Sequence, residues 1–401
     1  VSSDDLLRRI MDPANRPDPY PLWAEARTAR VLRQDTGAYL VGNYHDVYAL
    51  LHDPRVSSDR RHRTDAADAV PEPEGSPLGA GMLPFIRLDP PEHDRLRRLV
   101  TRPFGPPHSP DRVDGMRSEL RAIVTSLVDD LLDRDRVDLV DDFAYPFPVT
   151  VICRLLGVPR EDEPRFHLWA DALVAAIDPT GQTGAEAAQR EMAQYMAGLI
   201  AEREHDPRED LLTGLSADDG PEGRLTLPEL IVNAILLFIA GHETTVNLIT
   251  NGLLTLLRDP DLLGRLAADP ALMPMAVEEL LRFEPPVQMI PNRTPIADIE
   301  IDGTTIPKGS QLILAVAAGN RDPHRFEDPD RFVPDRPDIR HLGLGGGVHS
   351  CFGAPLARLE GQMAIAEVIR RLPNLRLVQD PPPYRPNPVL RGPRHLLVDI
   401  G

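Results

Sequence analysis

The sequence predicts a mainly α protein with a small β-rich N-terminal region. Three observations lead there. Apolar residues recur at helical spacing over long segments, above all from Pro228 to Leu257; strand signals are short and come as hairpins; and the 43 prolines and 28 glycines fall between the periodic segments as punctuation. With 401 residues, 42% of them hydrophobic, and no internal repeat, the chain is read as one domain over 1–401 with a large core. The net charge of −18 argues against a nucleic-acid binder. The longest apolar run, about Leu230 to Ala240, is interrupted by Asn233 and falls short of the roughly 20 residues that span a bilayer. No signal-peptide pattern is read ahead of Asp4, and two distant cysteines form no disulfide framework, so a soluble cytoplasmic protein without a membrane anchor is expected.

Taken in order, Val31-Leu32 and Tyr39-Leu40-Val41 flank Thr36-Gly37 and read as a β-hairpin. Val47, Leu50 and Leu51 mark a helix that ends before Pro54, and Arg60 to Pro84 is a long loop. Asp89-Pro90-Pro91-Glu92 starts a helix on which His93 and Arg97, four apart, share one face. Val113 to Leu132 is amphipathic, and Phe147 to Leu156 is apolar all round and stops at Gly157-Val158-Pro159. Helices over about Glu161 to Ala176 and Ala185 to Glu204 are joined by a glycine-hinged connector. The Pro228 to Leu257 helix follows, on the order of 45 Å long. Met273 to Phe283 is a shorter helix, and Ile296 to Ile306 is a hairpin about Asp302-Gly303. A helix begins at Ala354-Pro355, and late strands lie near Leu375 to Val378 and His395 to Val398.

The chemistry concentrates between His341 and Gly353, H-L-G-L-G-G-G-V-H-S-C-F-G. Gly343, Gly345, Gly346 and Gly347 let the backbone take positive φ and lie flat against a large planar partner. The helix after Cys351 aims its N-terminal dipole at the sulfur and favours the thiolate, which fits an axial ligand to a haem iron. A zinc site would need more thiols or a local His/Cys cluster; a Cys351–His349 nucleophile would leave the glycines unexplained; and Cys153, in V-T-V-I-C-R-L-L, reads as inert core.

The run from Leu344 to Gly353 resembles the haem-binding loop of the cytochrome P450 superfamily, Phe-x-x-Gly-x-x-x-Cys-x-Gly with His or Arg two residues before the cysteine. Gly347, His349, Cys351 and Gly353 match, and Leu344 stands where the family carries Phe against the haem near the sulfur. Further matches follow in the family's order from about Pro19 to Val398. A-G-H-E-T-T, residues 240 to 245, is similar to the oxygen-activation motif: the resemblance places Ala240 and Gly241 at the iron, Thr244 at bound oxygen and Glu243 on a path to solvent. His93, Arg97 and Arg293 match haem propionate ligands, and Leu344 and Gly345 line the cofactor with the cysteine loop. Glu279, Arg282 and Arg331 match a buried structural network. Met82, Phe85, Leu236, Ala240, Val287, Met289, Ile290 and Leu390 fall where the family lines its substrate pocket, and the connector near Pro179 where it carries a moving lid.

The resemblance implies a P450 fold with haem b, iron protoporphyrin IX, between the long central helix and the helix after the cysteine loop. It also implies a monomeric monooxygenase that hydroxylates or epoxidises a hydrophobic natural product, such as a polyketide, macrolide, terpenoid or steroid, in secondary metabolism or antibiotic biosynthesis. Dioxygen is the co-substrate. The chain carries no flavin or Gly-x-Gly-x-x-Gly nicotinamide segment, so electrons are expected from a ferredoxin and its reductase, steered by Arg98, Arg102 and Arg358. The alternatives are a peroxide-driven peroxygenase, a non-enzymatic haem-thiolate ligand-binding protein and a Cys-dependent hydrolase.

Overall fold

The computed structural model describes residues 5–64, 82–104, 111–175, 185–217 and 223–401. The chain divides into two compact units, one of Val1–Ala66, Val124–Ala144 and Thr244–Gly401, the other of Ala67–Ile123 and Tyr145–Glu243.

In the first unit, Leu32–Arg33 and Tyr39–Val41 form the expected hairpin about Gly37, at φ 84°. The β-rich region is not N-terminal alone. Tyr39–Val41 pairs in parallel with Leu312–Leu314, which pairs with Ile290–Pro295 and through it with Val56–Ser57. Strands this short leave almost no period to read, and parallel pairing joins residues far apart in sequence. The alternation of side chains explains the apolar runs Tyr39-Leu40-Val41 and Leu312-Ile313-Leu314. Leu40 and Ile313 enter a core with Ile10 and Trp23, while Tyr39, Val41, Leu312 and Leu314 enter a second core with Val47 and Leu342. The Ile299–Ile301 and Thr304–Ile306 hairpin turns at Asp302 and Gly303, both at positive φ, as a two-residue turn with the strands' twist requires.

The helix Leu227–Leu257 has 31 residues. Thr226 and Glu229 cap it reciprocally: Thr226 N–H donates to Glu229 Oε2 at 2.8 Å, and Glu229 N–H to Thr226 Oγ1 at 3.4 Å. It is long and apolar enough to cross a membrane by length and composition, yet 72% of its apolar window is buried inside the protein, as befits a core helix. Its second half packs on Met273–Phe283 and Ala354–Arg371 through small residues. A Cβ on Gly252 would stand 2.8 Å from the Leu280 and Ile365 side chains.

Glu279 and Arg282 are fully buried and joined by two hydrogen bonds of 2.7 Å. Their third partner is Arg336 rather than Arg331: Arg336 Nε donates to Glu279 Oε1 at 3.0 Å. Arg331 contributes its carbonyl, which accepts from Arg282 and Arg336, and its own side chain is exposed. The cause is the turn that follows. Val333 N–H donates to Glu279 Oε1 at 2.9 Å, and that anchor brings the next arginine inward.

In the second unit, Pro146–Leu156 ends at Gly157, φ 76°, with Val158 N–H on Cys153 O at 2.8 Å. Glu163–Ala175 and Ala185–His205 follow as expected. The helix expected over Val113 to Leu132 is two, Arg112–Gly115 and Arg117–Asp129. Gly115 weakens a helix interior by roughly 1 kcal/mol relative to alanine, and the first piece closes with Met116 N–H on Val113 O at 3.1 Å. Leu211–Ser216 has too few residues to show a period; Asp210 caps it, accepting from Thr213 N–H at 2.8 Å. Residues 65–81 of the long loop and the glycine-hinged connector at 178–184, with Pro179, lie outside the described residues.

Candidate functional site

The cysteine loop is built against the chain itself. Gly347 has φ 63°, and a Cβ there would come 2.1 Å from the Leu51 carbonyl oxygen; on Gly343 it would come 2.3 Å from that of Leu281. Glycine at these two positions is demanded by neighbouring backbone, beyond the planar partner that the sequence suggests. Cys351 N–H donates to Leu344 O at 2.9 Å, closing the loop on the residue that replaces the family's Phe. Cys351 is exposed and in no disulfide, and the helix Ala354–Arg371 starts just after it with Gly353 as N-cap. Arg358, one turn into that helix, holds Glu278 by two hydrogen bonds, of 2.6 and 2.9 Å. Those bonds raise its pKa despite partial burial, and Cys351 adds a further attraction. The helix dipole and this guanidinium both favour the thiolate. The second cysteine, Cys153, is fully buried, and burial pushes its thiol well above the ordinary range.

On the long helix, Leu236, Ala240 and Thr244 recur every four residues and so share one face. Ala240 is exposed and Leu236, Ile239, Gly241 and Thr244 are half-buried, while most of their neighbours along the helix are buried. This is an accessible apolar stripe carrying one hydroxyl. A Cβ on Gly241 would meet Ile152 at 3.5 Å, an ordinary contact, so close helix packing does not explain that glycine. Glu243 is 2% exposed, so its carboxylate is enclosed by protein rather than set at the surface as a path to solvent suggests.

His93 is buried on the helix Glu92–Thr101, its Nδ1 2.8 Å from Asp94 Oδ1, and Arg97 is half-buried one turn on. Arg293 lies half-buried on the strand Ile290–Pro295, and His349 is half-buried in the cysteine loop. Within the first unit, the accessible thiol of Cys351 and the half-buried Arg293 and His349 are groups of the kind a haem takes, so these residues fit that group. Arg358, one of the expected partner-steering arginines, is ion-paired with Glu278 and keeps part of its side chain exposed.

Among the pocket candidates, Val287 and Leu390 are joined by a β-bridge and half-buried, as is Ile290. Met289 is instead part of the core with Trp23, Leu40 and Ile313, and Gln288 beside it accepts from Trp23 Nε1 at 3.0 Å. Met82 is half-buried. Phe85 is buried, its N–H donating to Asn233 Oδ1 at 3.1 Å. Asn233 was the polar interruption of the apolar run, and this bond is its use. Sequence reasoning passed over it, and over Arg336, His52 and Glu278.

The sequence model of one protein family, Cytochrome P450, matches residues 38–398. The chain is 42% identical over 385 residues to the cytochrome P450 monooxygenase PikC of Streptomyces venezuelae, covering 94% of this chain and 89% of that protein. It is 38% identical to the vitamin D(3) 25-hydroxylase of Pseudonocardia autotrophica, covering 96% and 94%. Among solved structures, the cytochrome P450 PksS of the Bacillus subtilis 168 bacillaene polyketide synthase superposes with a TM-score of 0.89 at 31% identity, covering 98% of this chain and 99% of that one.

Proposed function

The chain belongs to the cytochrome P450 family of haem-dependent monooxygenases, and from that premise we propose that it inserts one atom of dioxygen into a hydrophobic natural product, by hydroxylation or epoxidation, within secondary metabolism. The observation that carries this reading is the accessible stripe of Leu236, Ala240 and Thr244 on a helix most of whose other residues are buried. It presents an apolar wall and a hydroxyl on one face, with a buried carboxylate next in sequence.

Bound haem supplies the activation of dioxygen. Cys351 would hold it through its sulfur, placed at a helix N-terminus and near the Arg358 guanidinium, both of which favour a thiolate. His93, Arg97 and Arg293 would hold its propionates by charge and hydrogen bonding, and His349, Leu344, Gly345 and Gly353 would bind it from the cysteine loop. Thr244 carries a proton on the accessible face, and Glu243 is the next proton-bearing group in the relay. Ala240 and Gly241 keep that face low, so that a substrate lies close without a side chain intervening. Leu236, Val287, Ile290 and Leu390 exclude water and orient an apolar substrate.

Two relatives support the substrate class. One is named for hydroxylating vitamin D(3) and the other for a polyketide synthase, both large and largely apolar chemistries. Polyketides, macrolides, terpenoids and steroids are therefore the compounds to offer, and antibiotic biosynthesis the setting. The protein acts as a cytoplasmic monomer of one domain, with electrons from a ferredoxin and its reductase.

The test is the reduced carbon-monoxide difference spectrum of the purified protein, repeated for Cys351→Ser. A red-shifted thiolate-type band lost in the variant is expected, followed by spin-state shifts with hydrophobic compounds. A histidine-type band retained in the variant sinks the ligand assignment.

A further inference from the structure

We propose that two imidazoles, His52 and His341, clamp the glycine run by accepting hydrogen bonds from its backbone amides, and are positioning residues for the loop that presents Cys351. The inference rests on Cys351 being the haem ligand.

The two ends of the run are held in the same way. Gly343 N–H donates to His341 Nδ1 at 3.1 Å, and Gly347 N–H donates to His52 Nε2 at 3.1 Å. Each ring is fixed from behind by an acceptor. His341 Nε2 lies 3.2 Å from Glu278 Oε2, and His52 Nδ1 lies 2.7 Å from the Tyr48 carbonyl. A carboxylate and a carbonyl accept only, so the outer nitrogens carry the hydrogens and the inner ones accept from the glycine amides. The rings have little freedom to turn away. The His52 ring lies tilted against Tyr48 with their centroids 4.3 Å apart, and Glu278 is itself held by Arg358 of the cysteine helix.

The clamped positions are those where the loop touches rigid backbone, since Gly343 abuts the Leu281 carbonyl and Gly347 that of Leu51. Between them the chain turns through Gly345, φ 69°, and the Leu344 carbonyl takes the N–H of Cys351. Movement of either end is thus passed to the cysteine through one hydrogen bond. An alanine or valine at position 52 would leave the exposed Gly347 amide to water in place of a fixed acceptor, and that end of the loop without its tie to the helix Tyr44–His52.

The experiment uses the haem-loaded full chain and its His52→Ala, His52→Gln and His341→Asn variants. Hydrogen exchange is read over 343–349, alongside the rate at which the reduced carbon-monoxide form loses its thiolate-type band under mild heating. His52 is exposed at the end of its helix, so its alanine variant tests the clamp in a folded protein. We expect exchange at Gly347 to rise about three- to tenfold in His52→Ala, the loss of one net hydrogen bond, with faster band loss. His52→Gln places a carboxamide oxygen near the Nε2 position and His341→Asn one near Nδ1, so both variants should lie close to wild type. Unchanged exchange in His52→Ala overturns the clamp. Faster exchange with an unchanged band-loss rate overturns the positioning role. Cys351→Ser, run in parallel, separates these from failure of the ligand assignment, which shows in its spectrum and leaves the exchange result standing.

Discussion

Replacing Arg336 by alanine should destabilise the protein by about 4 kcal/mol, whereas Arg331→Ala should change stability by no more than about 0.5 kcal/mol. Arg336 is 7% exposed and donates to both Glu279 oxygens, at 3.0 and 3.2 Å, and to the carbonyls of Glu327, Asp328 and Arg331, at 2.5, 3.2 and 3.0 Å. Truncation leaves a fully buried carboxylate with one guanidinium in place of two, and takes a donor from three carbonyls. Breaking one partner out of a buried ionic group costs about 3–5 kcal/mol, and each buried polar group left unsatisfied about 1–3 kcal/mol, partly relieved by water entering from the exposed side. Against a total stability of about 5–15 kcal/mol this is a large fraction. Arg331 loses an exposed side chain and keeps the carbonyl that the network uses. Urea midpoints followed by far-ultraviolet circular dichroism decide the matter, with Arg336→Lys, able to satisfy only part of the acceptor set, falling between. Equal midpoint shifts for the two alanine variants, or a larger one for Arg331, would refute this account of the network.

Two further outcomes follow from the site. Burial alone would raise the Glu278 carboxyl, but hydrogen bonds from His341 and Arg358 and the charge of Arg358 outweigh it and hold the group at about 2, against 4.5 for an ordinary glutamate. A carboxyl depressed on folding stabilises fully above its unfolded pKa and loses that contribution as pH falls toward the folded one. Glu278→Gln should therefore cost about 1–2 kcal/mol at pH 7, after allowance for solvent screening, and the gap to wild type should close between about pH 4.5 and pH 2; a gap constant across that window rules the ion pair out as its source. Thr244→Ala should leave haem content and the carbon-monoxide band intact while product formed per reductant consumed falls several-fold; unchanged coupling with native substrate would remove Thr244 from proton delivery.

What could be read from the sequence is what local chemistry writes. Thr226 and Glu229 cap the long helix reciprocally, Asp302-Gly303 turns its hairpin, and Gly157 closes its helix, because each depends on residues within a turn of one another. The same holds for the Leu236, Ala240 and Thr244 stripe, whose members need only the helical period to share a face. The sheet was misplaced because Tyr39–Val41 finds its parallel partner at Leu312–Leu314, a pairing without a local signal in strands of three residues. Arg331 and Arg336 are equally plausible in a Pro/Asp-rich meander. Val333 N–H, bound to Glu279, decides between them, and backbone amides look alike in a sequence.

The cysteine loop shows how far a local motif can be trusted. Its thiol, its helix and its glycines are contiguous, so the chemistry was legible, yet part of the reason for the glycines was not. Gly347 is shaped by Leu51 and held by His52, which is 295 residues away, and Gly343 by Leu281 on the helix that also carries Glu278. A loop rich in glycine has more backbone entropy to lose than any other, so a flat, fixed platform cannot come from glycine alone. The glycines permit the approach, and acceptors supplied by two other helices and by His341 convert that permission into a single conformation. The segment 341–353 transplanted without His52 and Glu278 would carry a thiol at a helix N-terminus on a loop with one anchor missing and the other unsupported. It is the distant residues that make the motif a site.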